Sequence, residues 1–175
     1  LDGGGALMNQ SIHMVDMLQY VAGPVSSLKA YTATLAHPHI EVEDTATAVL
    51  RFRNGALGII YGSTASYPGQ FRRIEITGTG GTAIIEENSI KVWQFVQQQD
   101  EDKDILQKFS EIEGGGGVSD PMAMPFEPHA RNIEAFIHSV ETGLPFEVDG
   151  YEARKSVEII LGIYKSAKSG CEVTF

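Results

Sequence analysis

Gly3-Gly4-Gly5-Ala6-Leu7-Met8-Asn9-Gln10-Ser11-Ile12-His13-Met14-Val15-Asp16, continued to Gly23, is the stretch on which the fold turns. At about 100° per residue, Leu7, Met8, Ser11, Met14, Val15, Leu18, Val21 and Ala22 fall on one broad side, which predicts an amphipathic helix laid on a core. Asn9, His13, Asp16 and Tyr20 stand at i, i+4, i+7 and i+11, so their side chains share a narrow arc on the other side. A solvated helix face normally carries Lys, Glu and Arg. Amide, imidazole, carboxylate and phenol together, with no long charged chain among them, suit directed hydrogen bonds to a ligand or to another layer of protein. The plainer alternative is a helix histidine held by the Asp16 carboxylate one turn away.

Downstream, Gly23-Pro24 stops the helix, because Gly suits a left-handed cap and Pro cannot continue the turn. Small, β-branched and aromatic residues from Val25 to Ala36 predict a strand. In Thr45–Arg53, Ala46, Ala48, Leu50 and Phe52 alternate with Thr45, Thr47, Val49 and Arg51. Asn54-Gly55 then predicts a type I′ turn, with Ala56–Ala65 returning as its partner strand. Further strands are expected over Phe71–Thr77, Thr82–Glu86 and Ser89–Phe95, with Glu87-Asn88 as a tight turn and Trp93 as an amphipathic anchor on the sheet face. His37-Pro38-His39 reads as a loop with two exposed histidines, since no third metal ligand stands near them in sequence.

Residues 97–125 turn polar and show no clear periodicity, which predicts a long excursion, partly disordered, with Gly114-Gly115-Gly116-Gly117 as a flexible loop. Pro128 suits a first helical turn. Ile133, Phe136, Ile137 and Val140 then form a stripe that also takes in His129 one turn earlier, so His129 is expected to point toward the sheet near the helix start. Asp149-Gly150-Tyr151-Glu152 reads as a capping box opening a last helix, whose buried side is expected to be Ala153, Val157, Ile160, Leu161 and Tyr164. Strands in succession with helices at the chain ends give an α+β fold: an open, largely antiparallel sheet with helices on one face. Its other face carries too much Leu, Ile, Val, Tyr and Trp to be left in water, and is expected to be used for oligomerisation.

At 175 residues and 42% hydrophobic, the chain can bury the core of one domain, and one compact unit over 1–175 is expected. A net charge of −10 argues against nucleic-acid and anionic membrane partners. The single Cys171 excludes an internal disulfide and a multi-cysteine zinc site and fits a reducing, cytoplasmic setting. No Gly-x-Gly-x-x-Gly follows a strand and opens a helix. Because the glycine run comes almost at once after Leu1, the chain reads as a domain whose N-terminal partner is not included.

The glycine triplet followed by Ile12-His13-Met14-Val15-Asp16 resembles the opening of the C-terminal domain of the Gfo/Idh/MocA oxidoreductases. Ser63–Gly69, Gly78–Gly81, Pro145–Lys155 and Ser166–Val173 are similar to that family in spacing and order, so the likeness runs from Gly3 to Val173 and is weakest across 97–125. The resemblance implies a substrate-binding and oligomerisation domain of an NAD- or NADP-dependent enzyme acting on a sugar, polyol or related cyclic alcohol. The cofactor would be bound mainly by a Rossmann domain absent from this chain, and the fragment alone would be inactive. It implies that His13 assists proton transfer and that Asp16 orients it. Glu41-Val42-Glu43-Asp44 would lie at the pocket-forming end, and His129 near the pocket rim. The family often has aspartate where Asn9 stands, and an amide can hold a hydroxyl but cannot take its proton. Asn9 is therefore assigned to substrate orientation, and a non-catalytic dimerisation or carbohydrate-binding module of the same fold is the alternative.

Overall fold

The alternation at Thr45–Phe52 is realised residue by residue: Ala46, Ala48, Leu50 and Phe52 are buried while Thr47, Val49 and Arg51 are exposed. This strand, β2, lies between β1 (Val25–Ala33) and β3 (Leu57–Ser63), and the two-residue β7 (Val173–Thr174) completes an antiparallel sheet in the order β3-β2-β1-β7. The structure is a computed structural model and describes residues 3–110 and 126–175. The glycine quartet at 114–117 lies outside the described residues.

The chain falls into two compact units, Leu1–Tyr67 with Glu134–Phe175, and Pro68–Ile133. In the first, the inner face of the four-stranded sheet packs under α4 (Gly150–Ser169) and the turn at Ala6–Ser11, and α1 (Ile12–Ala22) lies against α4. Leu7, Leu28, Ile160 and Ile163 are the large apolar side chains at its centre. In the second, β4 (Arg73–Gly78), β5 (Gly81–Glu86) and β6 (Ser89–Phe95) form an antiparallel three-stranded sheet, and α2 (Glu101–Phe109) packs on β6. The α+β class and the antiparallel pairing stand, with the strands divided between two sheets instead of one. α3 (Glu127–Thr142) crosses the sequence boundary between the units.

Six local expectations are corrected. The β2–β3 connection is not a type I′ turn. Gly55 has φ 90° but Asn54 does not take a positive φ, and the Gly55 N–H donates to Phe52 O (3.0 Å). Phe52 still pairs with Ala56 (N–H to O, 2.9 Å), so the loop has three residues, a type I turn closed by a left-handed glycine. The polar stretch after β6 contains helix α2. Its inner side is Asp102, Ile105 and Leu106, and Asp102 Oδ1 accepts from Trp93 Nε1 (2.7 Å) while Oδ2 accepts from Gln99 N (2.7 Å). β1 stops at Ala33, short of Ala36, because the next backbone N–H groups turn to a side chain described below.

The buried side of α4 is rotated from the expected one. Ser156, Ile159, Ile160, Ile163 and Ser166 face inward, whereas Leu161 is 54% exposed. Asp149 caps this helix, accepting from Tyr151 N (2.8 Å) and Glu152 N (2.9 Å), but Glu152 pairs with Lys155 and does not reach back to complete the box. Finally, the stripe on α3 is exposed along its length, and His129 with it, so the expectation that His129 points inward fails. On this stripe Phe136 stands edge-on to Phe146, with ring centroids 5.7 Å apart.

Candidate functional site

The glycine triplet leads into a wider helical turn than the sequence arithmetic assumes. Ala6–Ser11 is π-helical, and the regular α1 begins only at Ile12. Short π segments interrupt α-helices often at functional positions. Because a π-turn holds more residues than an α-turn, Asn9 is rotated away from the face that a uniform helix would give it. His13, Asp16 and Tyr20 share the regular part of the helix, and all four side chains are exposed, Tyr20 at 82%. Among the described residues no hydrogen bond joins His13 to Asp16, so the imidazole is not held by that carboxylate. His129 lies on α3, exposed, in sequence within the other unit.

The opposite side of this helix is fixed. Leu7 and Val15 are buried in the core with Met8, Ile12 and Leu18 packed against it, and Gln19 is also buried. The π-turn is held at its start by Glu43, a residue expected only as an acidic approach to β2. Ala6 N–H donates to Glu43 O (2.9 Å), and Leu7 N–H to Glu43 Oε1 (2.9 Å). The same oxygen accepts from the Tyr164 hydroxyl of α4 (3.0 Å). Burial first, and then this carboxylate, push the Tyr164 phenol up to about 12. At Gly5 a Cβ would run into both the carboxylate and the carbonyl oxygen of Glu43, so close approach, and not φ, requires glycine there.

Asp44 faces the other way. It is fully buried, and its carboxylate accepts from Leu35 N (2.9 and 2.8 Å), Ala36 N (2.7 Å) and His37 N (3.1 Å). Burial alone would raise its pKa, but these backbone donors, helped by Thr45, hold it at about 2. Neither Glu43 nor Asp44 is thus a freely solvated carboxylate at the strand end. The only sequence signal was two adjacent carboxylates preceding an alternating strand.

Two cavities of 530 and 380 Å³ lie in the second unit, the larger lined by Trp93, Phe95 and Asp102, and neither includes Asn9, His13, Asp16 or His129. The α1 surface is thus an open helical face. It can donate and accept hydrogen bonds through Asn9, exchange a proton through His13 and accept hydrogen bonds through Asp16.

Residues 1–84 match the sequence profile of the GFO/IDH/MocA C-terminal domain. The chain is similar to the WlbA dehydrogenase from Bordetella pertussis, whose crystal structure is a complex with NADH and UDP-GlcNAcA. The identity is 33% and the TM-score 0.80, over 98% of this chain and 48% of that one. It is 28% identical over 170 residues to the myo-inositol 2-dehydrogenase of Thermotoga maritima, covering 95% of this chain and 47% of that protein. It is also 38% identical over 89 residues to the uncharacterized oxidoreductase YrbE of Bacillus subtilis, covering 49% of this chain and 26% of that protein. The chain therefore spans about half the length or less of these relatives.

Proposed function

The chain belongs to the GFO/IDH/MocA oxidoreductases as their C-terminal domain, and from that premise we propose that it is the substrate-binding and oligomerisation half of an NAD- or NADP-dependent dehydrogenase acting on a sugar, polyol or related cyclic alcohol. The observation that carries this reading is the exposed set Asn9, His13 and Asp16 on a helix whose other side is locked into the core. A myo-inositol dehydrogenase and a dehydrogenase seen with a nucleotide sugar among the relatives support the substrate class.

Nothing in the described residues is built to hold the dinucleotide's phosphates. The glycine run does lead to a helix start, but the first N–H groups of that turn, on Ala6 and Leu7, are already taken by Glu43. We place the cofactor mainly in a nucleotide-binding half outside this chain, a reading supported by the NADH-bound relative of about twice its length. Oxidising an alcohol needs a hydride acceptor, which the nicotinamide supplies when bound, and an acceptor for the hydroxyl proton. On this helix the proton acceptor is the His13 imidazole. Asn9 holds a substrate hydroxyl through its amide, and Asp16 accepts a hydrogen bond from substrate or from His13 once the site closes. His129 is assigned to the rim as a substrate contact.

The test is His13→Ala in the full-length enzyme, assayed with NAD and NADP against myo-inositol, UDP-GlcNAcA and a wider panel of sugars and polyols. Turnover is expected to fall about 10²-fold or more. The melting temperature should barely move, because the side chain is exposed. Undiminished turnover overturns the assignment. Asn9 in place of an acid keeps a second reading in play, a non-catalytic module of the same fold, and absence of hydride transfer across the whole panel favours it.

A further inference from the structure

We propose that Glu43 is the positioning residue of this site: through one carboxylate oxygen shared between Leu7 N–H and the Tyr164 hydroxyl, it fixes the π-turn that carries Asn9 and so sets where Asn9 stands beside His13. The inference rests on the functional reading above.

A helix start leaves its first N–H groups without intrahelical partners, and a π-turn is a less common geometry than the α-turn into which the same residues could rewind. Something outside the helix has to select it. Glu43 does so from 36 residues away for Leu7 and from 121 residues away for Tyr164. Its backbone contributes as well, since Glu43 O accepts from Ala6 N, and Gly5 lets the two segments meet where a Cβ would collide. Glu43 cannot easily shift to follow a moving helix, because the adjacent Asp44 is buried and anchored by three successive backbone N–H groups. Val15 holds the first turn of α1 in the core. Between these two fixed points only residues 6–11 can rewind, and rewinding turns Asn9 about the axis while leaving His13 in place. Glu43 itself is half-buried and accepts both donors on Oε1, which suits a residue that acts through Asn9.

The test compares Glu43→Ala, Glu43→Gln and Tyr164→Phe in the full-length enzyme. Hydrogen exchange is followed at the amides of residues 6–11 and of the β1–β2 ladder, and kinetics use the best substrate of the panel. For Glu43→Ala, exchange over residues 6–11 accelerates about tenfold or more while the β1–β2 amides keep their protection. The kcat falls about tenfold or more, the KM for the sugar rises and the KM for the nicotinamide cofactor stays put. Glu43→Gln, which keeps an acceptor oxygen, restores most of both. Unchanged exchange over residues 6–11 in Glu43→Ala overturns the proposal, as does acceleration shared equally by the β1–β2 ladder or an unaltered kcat. A wild-type enzyme inert toward every sugar and polyol sinks the functional reading instead, and the exchange pattern then decides whether Glu43 holds the turn.

Discussion

Asp44 is a buried group whose charge is kept mainly by backbone, with help from Thr45. Three consecutive N–H groups from Leu35 to His37 converge on it, so the carboxylate organises the end of β1 and the loop after it. Its folded pKa of about 2 lies below the ordinary carboxylate value of 3.8, so its contribution to stability is fully present above the unfolded value. That contribution is lost as pH falls through the window from about 4 to about 2. Replacing Asp44 by Asn should therefore lower the melting temperature at neutral pH, with the gap to wild type shrinking by about half or more near pH 2. Thermal melts at several pH values check this, and a gap independent of pH would refute it. Gly5 makes a complementary prediction. Gly5→Ala should destabilise by about 1–3 kcal/mol, in the range of overpacked cores, because the new methyl meets the Glu43 carbonyl as well as its flexible carboxylate. Urea denaturation measures it. Neither role was legible in the sequence, where Glu43-Asp44 reads as a pair of charges and Gly5 as one of three glycines. The first depends on which loop N–H groups turn back onto Asp44, the second on backbone that approaches Gly5 from more than thirty residues away, and periodicity carries neither. His13, by contrast, was legible as an exposed polar position on the helix that the sequence marks out.

Whole elements were legible where the apolar pattern was strong and their orientation was not. The β2–β3 hairpin was found from alternation and Asn54-Gly55, although the turn resolves as a three-residue loop with only Gly55 at positive φ. α4 was found from its Asp149 cap and apolar content, yet its buried side was misread because a polar residue lies at its centre. Ser166 is fully buried, accepts from Ala30 N (3.0 Å) and donates to Cys171 O (2.7 Å). The two-residue β7 pairs with β1 only at Ser27 and Leu28, so the Ser166 hydroxyl supplies the acceptor that a longer strand would have given Ala30. A serine counted as solvent-facing by hydrophobicity is thus a substitute for a ladder bond. Ser166→Ala should cost about 1–3 kcal/mol, since the small change in volume leaves a buried N–H without an acceptor. A change in the urea midpoint without a change in slope is the expected signature, and an unchanged midpoint would mean that Ala30 finds another partner. The missed α2 has the same lesson, for its inner positions are Asp102, Ile105 and Leu106, and the first of these is polar because it anchors the Trp93 indole.

At the scale of the molecule, class and chain order were legible because they follow from the succession of alternating segments and their turns, whereas the division into two sheets depends on pairings that each segment is equally fit to make. The outward face of the four-stranded sheet carries the expected Leu, Ile, Val and Tyr, whereas Trp93 lies in the other sheet. Register places Lys29, Val49 and Ile59 in one cross-strand row and Tyr31, Thr47 and Tyr61 in the next, with Arg51 opposite Leu57. Ile59 is 73% exposed and Leu57 74%, with Val49, Tyr31 and Tyr61 also open to water. A sheet face with this many exposed apolar side chains is characteristic of an interface, and a two-fold dimer would use it on both subunits at once. We propose on this ground that copies of the chain pair face to face through β1–β3. Ile59→Glu then enters such an interface twice, burying two unpaired carboxylates, and should shift the assembly to monomer by light scattering at micromolar concentration. Ile59 points away from the core, so the circular dichroism spectrum should be retained. The choice of residue also separates two geometries, because β3 is an edge strand and could pair edge to edge through its backbone. Such an edge pairing would survive Ile59→Glu, so an intact oligomer in that variant would reject the face-to-face arrangement.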